Sequence, residues 1–192
     1  MKNPSVRRHS GFTLVELLVV ISIIVVLAAA GIGAGNLALN RAKRMTSQAS
    51  ATAIETAVNA FYQEYGALPD VGDRVRTDKG EGKKLLEILL GLEGDSGKVQ
   101  NPRNVKFLTA KETTKNFDGL KYTSSGRSVE GMWDAWGNPF VVELDTNYEE
   151  RMRFSHGGKQ VTLNGRRVAV HSAGANKRDA STEDASDDIK TW

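Results

Sequence analysis

Carboxylates carry most of the chemistry this sequence could do, and they are unevenly placed. Asp179, Glu183, Asp184, Asp187 and Asp188 fall within ten residues near the C-terminus. Calcium takes about six to eight oxygen ligands in tolerant geometry, so a carboxylate-rich loop suits it. The order of acids is not that of an EF-hand, and a solvated acidic tail is the alternative reading. Other chemistries are poorly served. His9, His156 and His171 are scattered, and with no cysteine and no His-Glu-x-x-His spacing there is no zinc signature. The stretch GDSGKV (94–99) lacks the glycine spacing and the hydroxyl after lysine that a phosphate loop needs. Ser172 beside His171 has no glycine-flanked elbow. The chain reads as a non-enzyme, and any motor acting on it is a partner.

One further carboxylate stands alone. Glu16 lies at the entry of a segment otherwise fit for lipid: from Leu17 to Asn40 there are 24 residues without a charge. As a helix that run is about 36 Å long, enough for a hydrocarbon core of roughly 30 Å. A carboxylate at the centre of a membrane helix costs about 2.5–3.5 kcal/mol, less near its end, and calls for a partner. No basic side chain follows within a turn. A partner appears if the chain is cut between Gly11 and Phe12, because the new α-amine, with a pKa near ~8 in water, then stands four residues from Glu16. It pairs best with a glutamate on a neighbouring helix. The competing reading is a secretory signal cleaved after Ala28-Ala29-Ala30. Glu16 and the length of the run speak against it.

The elements that must position these residues follow from pattern. Ile54, Val58, Phe61 and Tyr65 recur at helical spacing, no proline occurs between Pro4 and Pro69, and Gly66 with Pro69 supplies a stop. One helix from Phe12 to about Tyr65 is expected. Residues 81–94 predict a short helix with Leu85, Leu89 and Leu92 on one face. Residues 101–126 read as connecting structure. FVVEL (140–144) reads as a strand after the turn Gly137-Asn138-Pro139, and QVTLNGRRVAVHS (160–172) as a hairpin around Asn164-Gly165. Ile189 and Trp192 suggest that the C-terminus folds back onto apolar surface. The fold class is α+β, a small antiparallel sheet packed on the long helix.

Charge narrows the partners. Taking Lys2, Arg7 and Arg8 from the 26 basic residues leaves 23 against 23 acidic ones, so the body is neutral. It has no basic stripe with interleaved aromatics, and nucleic acid is not expected. Positive residues flank both ends of the apolar run, Lys2, Arg7 and Arg8 against Arg41, Lys43 and Arg44, so charge alone does not orient it.

The stretch SGFTLVELLVVISIIVVLAA (10–29) resembles the N-terminus of type IV prepilins and type II secretion pseudopilins: Gly11 before the cut, Phe12 after it, Glu16 fifth in the mature chain. DAWGNPF (134–140), VAVHSAGAN (168–176) and the ending EDASDDIKTW resemble the C-terminal half of the major pseudopilin of type II secretion systems. The resemblance implies cleavage by a prepilin peptidase, N-methylation of Phe12, and assembly in which Glu16 neutralises a neighbour's N-terminus. It implies a leader (1–11), a transmembrane and assembly half-helix (12–39) and a periplasmic pilin-like domain (40–192) on a single-pass inner-membrane anchor. The partners it implies are further copies in a filament, minor pseudopilins, an inner-membrane assembly platform and lipid. A type IV pilus subunit, or a membrane-anchored calcium-binding envelope protein, are the alternatives. It also implies a structural calcium site with side-chain ligands Asn176, Asp187 and Asp188. The family has aspartate where Asn176 stands, and the longer loop here offers Asp179 as a substitute.

Overall fold

The computed structural model describes residues 12–94, 98–178 and 186–192, with the side chains of 30–34 excepted. The chain divides into two units, Met1–Arg41 and Ala42–Trp192. One helix, α1 (Leu14–Tyr65, 52 residues), is assigned across the boundary. It ends where expected, with the Gly66 N–H on the Tyr62 carbonyl at 2.8 Å.

Among the described side chains of the first unit α1 buries nothing. Every large apolar residue from Phe12 to Leu27 is exposed, from 46% at Val20 to 83% at Leu14. Among the described residues no helix is long and apolar enough to cross a membrane. The described apolar stretch, Leu14–Ala29, has 16 residues, about 24 Å at 1.5 Å per residue and short of a core of about 30 Å. The expected span of 12–39 therefore needs the side chains of 30–34, which lie outside the description.

The second unit is an α+β domain. In chain order after α1 it holds β1 (Arg74–Arg76), α2 (Gly80–Leu90), β2 (Gly119–Tyr122), β3 (Val129–Trp133), β4 (Val141–Leu144), β5 (Arg151–His156), β6 (Lys159–Asn164), β7 (Val168–Ser172) and β8 (Ile189–Lys190). A four-stranded sheet runs β1-β4-β7-β8, and β2-β3 and β5-β6 form two further pairs. All of these strand pairings are antiparallel. The stripe of Ile54, Val58 and Phe61 on α1 packs with Leu85, Leu86, Ile88 and Leu89 of α2 and with Val142, Leu144, Val168, Val170 and Ile189 of the sheet. Successive residues of a strand face opposite ways. Val168 and Val170 therefore enter this core, while Ala169 joins Met152 and Phe154 in a smaller cluster on the other face. Trp192 closes that cluster, so the C-terminus does fold back.

The hairpin reading of 160–172 is corrected. β6 pairs with β5, in register from Arg151↔Asn164 to His156↔Lys159, and β7 pairs with β4 and β8. The two-residue turn is Gly157-Gly158, with φ of 60° and 71°, the doubly positive conformation of a type I′ hairpin that glycine adopts without strain. Asn164-Gly165 instead marks where the chain passes from one ladder to another. Residues 101–126 also hold more than connections, for β2 lies there and pairs with β3.

Candidate processing and assembly site

The start of α1 is closed by its own side chains. Glu16 Oε2 accepts hydrogen bonds from the Thr13 backbone N–H at 2.9 Å and the Thr13 hydroxyl at 2.8 Å. The Glu16 N–H in turn donates to Thr13 Oγ1 at 3.2 Å. This is a reciprocal capping box, which satisfies backbone donors that a helix start leaves open. Its sequence signal is the Thr-x-x-Glu spacing, which the apolar run around Glu16 overshadows. Thr13 is thus a site residue that the charge argument missed. Phe12 is 71% exposed beside it. Gly11, the other half of the expected cleavage bond, lies outside the described residues. In a single copy, then, Glu16 has a local partner, and its carboxylate stays accessible to a second one.

At the other end, of the expected calcium ligands Asn176 and Asp187 meet through the Asn176 backbone, while the Asn176 side-chain Oδ1 accepts the Arg178 N–H at 2.8 Å. The Asn176 backbone N–H donates to Asp187 Oδ2 at 2.7 Å, while Asp187 Oδ1 is buried with no hydrogen-bond partner among the described residues. Asp188, whose side chain is fully enclosed, places Oδ2 3.2 Å from His156 Nε2. Asp188 therefore reaches His156 of the β5–β6 pair. His156 also stacks edge-on against His171 and Trp192, with ring centroids 4.7 and 5.2 Å away. Among the described residues no three His, Asp or Glu side chains gather as a metal cluster. Asp179, Glu183 and Asp184 lie outside the described residues.

A buried carboxylate braces this loop. Asp134, 1% exposed, accepts from the backbone N–H groups of Trp136 and Asn138, both at 2.8 Å, through Oδ1. Through Oδ2 it accepts from the Asn138 side-chain amide and the Ser172 hydroxyl, both at 2.9 Å. The Asn138 amide also donates to the Gly174 carbonyl at 2.7 Å. Gly174, at φ +62°, has the Asp187 carbonyl 2.3 Å from where a Cβ would stand, so no other residue fits that approach. The stretches 134–140 and 168–176 are in this way locked together, and Ser47 of α1 joins them by accepting the Ala135 N–H at 3.0 Å.

Residues 6–32 match the family model described as the prokaryotic N-terminal methylation motif. The match spans Gly11, Phe12, Thr13 and Glu16 and makes the N-terminal segment type IV prepilin-like. Neither a curated protein nor a solved structure matches the chain.

Proposed function

We propose that the chain is a structural subunit of a type II secretion pseudopilus. It is cut after Gly11 by a prepilin peptidase, methylated on Phe12, anchored in the inner membrane by residues 12–39 and polymerised through that helix, with the C-terminal domain in the periplasm. The observation that carries this reading is a helix apolar on every side, headed by Thr13 and Glu16, within a methylation motif. Thirteen large apolar residues from Phe12 to Leu27 are exposed. At about 1.5–3 kcal/mol for fully burying each, this helix leaves on the order of 20 kcal/mol of transfer free energy unclaimed in water. Lipid before assembly and other copies after it are the environments that claim it.

Two features favour a pseudopilus over a pilus. The chain has no cysteine, so it cannot close its C-terminal region with the disulfide common in type IV pilins. The two motifs resembling the major pseudopilin, 134–140 and 168–176, interlock through Asp134, Asn138 and Gly174. The loop they brace is proposed to hold structural calcium, with Asp187 and Asn176 as side-chain ligands beside backbone carbonyls. The fit rests on the buried, unpartnered Asp187 Oδ1. The ion would supply positive charge to a loop rich in carboxylates, while Asp188 serves the contact with His156.

Intact mass of the membrane-extracted protein tests the processing. A mass beginning at methylated Phe12 is expected, and Gly11→Ala should leave mostly precursor. Cleavage after Ala30, or none, overturns the proposal. Deleting the gene should stop export of folded proteins to the medium. Intact export with loss of surface pili would return the chain to the pilus reading.

A further inference from the structure

The β5–β6 hairpin has one face that the described residues leave uncovered. Its register sets Arg151 opposite Asn164, Arg153 opposite Thr162 and Ser155 opposite Gln160. All six are exposed, while the alternate residues Met152, Phe154 and His156 are buried on the other side. Among the described residues Arg151 and Arg153 make no ion pair, whereas the nearby Arg166 and Arg167 are held by Glu55 and Glu150. Among the described residues β6 pairs only with β5, which leaves its outer edge open as well. The result is a basic ribbon of hydrogen-bonding side chains.

The geometry points to this face as the docking surface for the acidic segment 179–185 of a second copy, a lateral contact that sets subunit register in the assembly proposed above. Charge is the first argument. The segment DASTEDA carries Asp179, Glu183 and Asp184 and no basic residue. Length is the second. Seven extended residues reach about 23 Å, and a six-residue strand of the hairpin about 20 Å. Topology is the third. The residues that follow it, Asp188 and Trp192, lie under the inner face of the hairpin against His156 and Phe154, so the hairpin itself stands between them and the outer face. Size defines the role. A face of about 20 by 10 Å is far below the roughly 800 Å² per partner of a stable interface. It cannot hold copies together, but opposed charges over such an area steer and align partners held elsewhere.

The test uses the full chain, whose lack of cysteine makes introduced thiols unique. One copy carries Thr162→Cys, the other Ser181→Cys, and both are co-expressed and crosslinked with a short bifunctional maleimide. A mixed dimer is expected. Arg151→Glu with Arg153→Glu in the first copy should cut its yield at least tenfold, and Glu183→Lys with Asp184→Lys in the second should restore it. A Val20→Cys pair reports the N-terminal helix contact in parallel. If that pair crosslinks while the hairpin pair does not, or does so regardless of charge, the inference falls and the filament reading stands. If neither pair crosslinks, the filament reading falls and takes the inference with it. Crosslinking confined to one copy carrying both cysteines would also overturn it.

Discussion

Glu16 has one partner in the structure and a second in the proposed filament, and two substitutions separate them. In one copy it closes the capping box with Thr13. In the filament it is proposed to meet the Phe12 amine of a neighbour. Glu16→Gln divides the roles, because glutamine serves at this capping position as well as glutamate does but carries no charge. Thr13→Val does the reverse, removing the hydroxyl and sparing the carboxylate. A helix cap is worth about 1 kcal/mol, about fivefold in an equilibrium. A desolvated charge pair at an interface couples by about 1.5–7 kcal/mol, tenfold or more. Self-crosslinking through Val20→Cys, at matched protein levels, is the assay. Glu16→Gln should lose at least tenfold in yield, and Thr13→Val no more than about fivefold. Glu16→Val should insert into the membrane at least as well as wild type, since it removes a charge from lipid. Undiminished crosslinking in Glu16→Gln would refute the pairing and leave Glu16 a cap. Equal losses in the two single variants, with no further loss in the double, would say the same.

Other expectations concern the body. The melting temperature should rise with millimolar calcium and fall with chelator, and Asp187→Ala should abolish the response; at a hundredfold excess over Kd, calcium adds about 2.7 kcal/mol. Asp188→Ala should instead destabilise by about 1.5–3 kcal/mol with or without calcium, because it removes the partner of His156; a loss only in calcium would place Asp188 on the ion. Asp134→Ala strands two backbone N–H groups, an amide and a hydroxyl in a buried site, at about 1–3 kcal/mol per unsatisfied group before relaxation; urea denaturation showing a loss under ~1 kcal/mol would contradict the network. Burial, and then the charge of Glu112, raise the Tyr122 phenol above its ordinary value of 10.0. Its share of stability is therefore full below about pH 10 and lost as pH rises further, and Tyr122→Phe should flatten that alkaline loss in a pH series of melts.

Periodicity made the helices legible, because apolar positions at spacings of three and four repeat within one segment and need no knowledge of the rest. The buried strands β4 and β7 were legible for a similar reason, as short apolar runs bounded by turns. Pairing was not. Asn164-Gly165 carries the strongest local hairpin signal, yet the strand after it, Val168–Ser172, is apolar on both faces and belongs between β4 and β8. Gly157-Gly158 meets the same conformational demand, and which of the two turns closes a hairpin is decided by burial far away in the chain. The same limit applies to Asp188. Its place in a run of acids suggests a cation, while its neighbour in space, His156, lies thirty-two positions upstream and leaves no local trace. Asp134 was legible only as the first residue of DAWGNPF, since an aspartate before Ala-Trp-Gly reads as turn chemistry until the partners of its carboxylate are seen.

The two units meet different physical demands, and that difference explains where the polar groups stand. The body is held by a shared apolar core in water, where burial alone favours compactness. The N-terminal helix gains nothing comparable from meeting another copy in lipid, because acyl chains are as apolar as its leucines and valines. Its apolar faces fix where it lives but not which helix it meets or in what register. Selectivity must come from the few groups that lipid cannot satisfy. Between Phe12 and Asn40 the one ionisable side chain is Glu16, and the proposed cleavage would add the amine of Phe12. In the assembly proposed above, such a subunit would diffuse as a capped monomer, with Thr13 answering the carboxylate, and exchange that contact for a neighbour's amine. The preference for the neighbour is then set by the difference between a carboxylate held by neutral donors and the same carboxylate in an ion pair within a dry interface, where opposite charges attract most strongly.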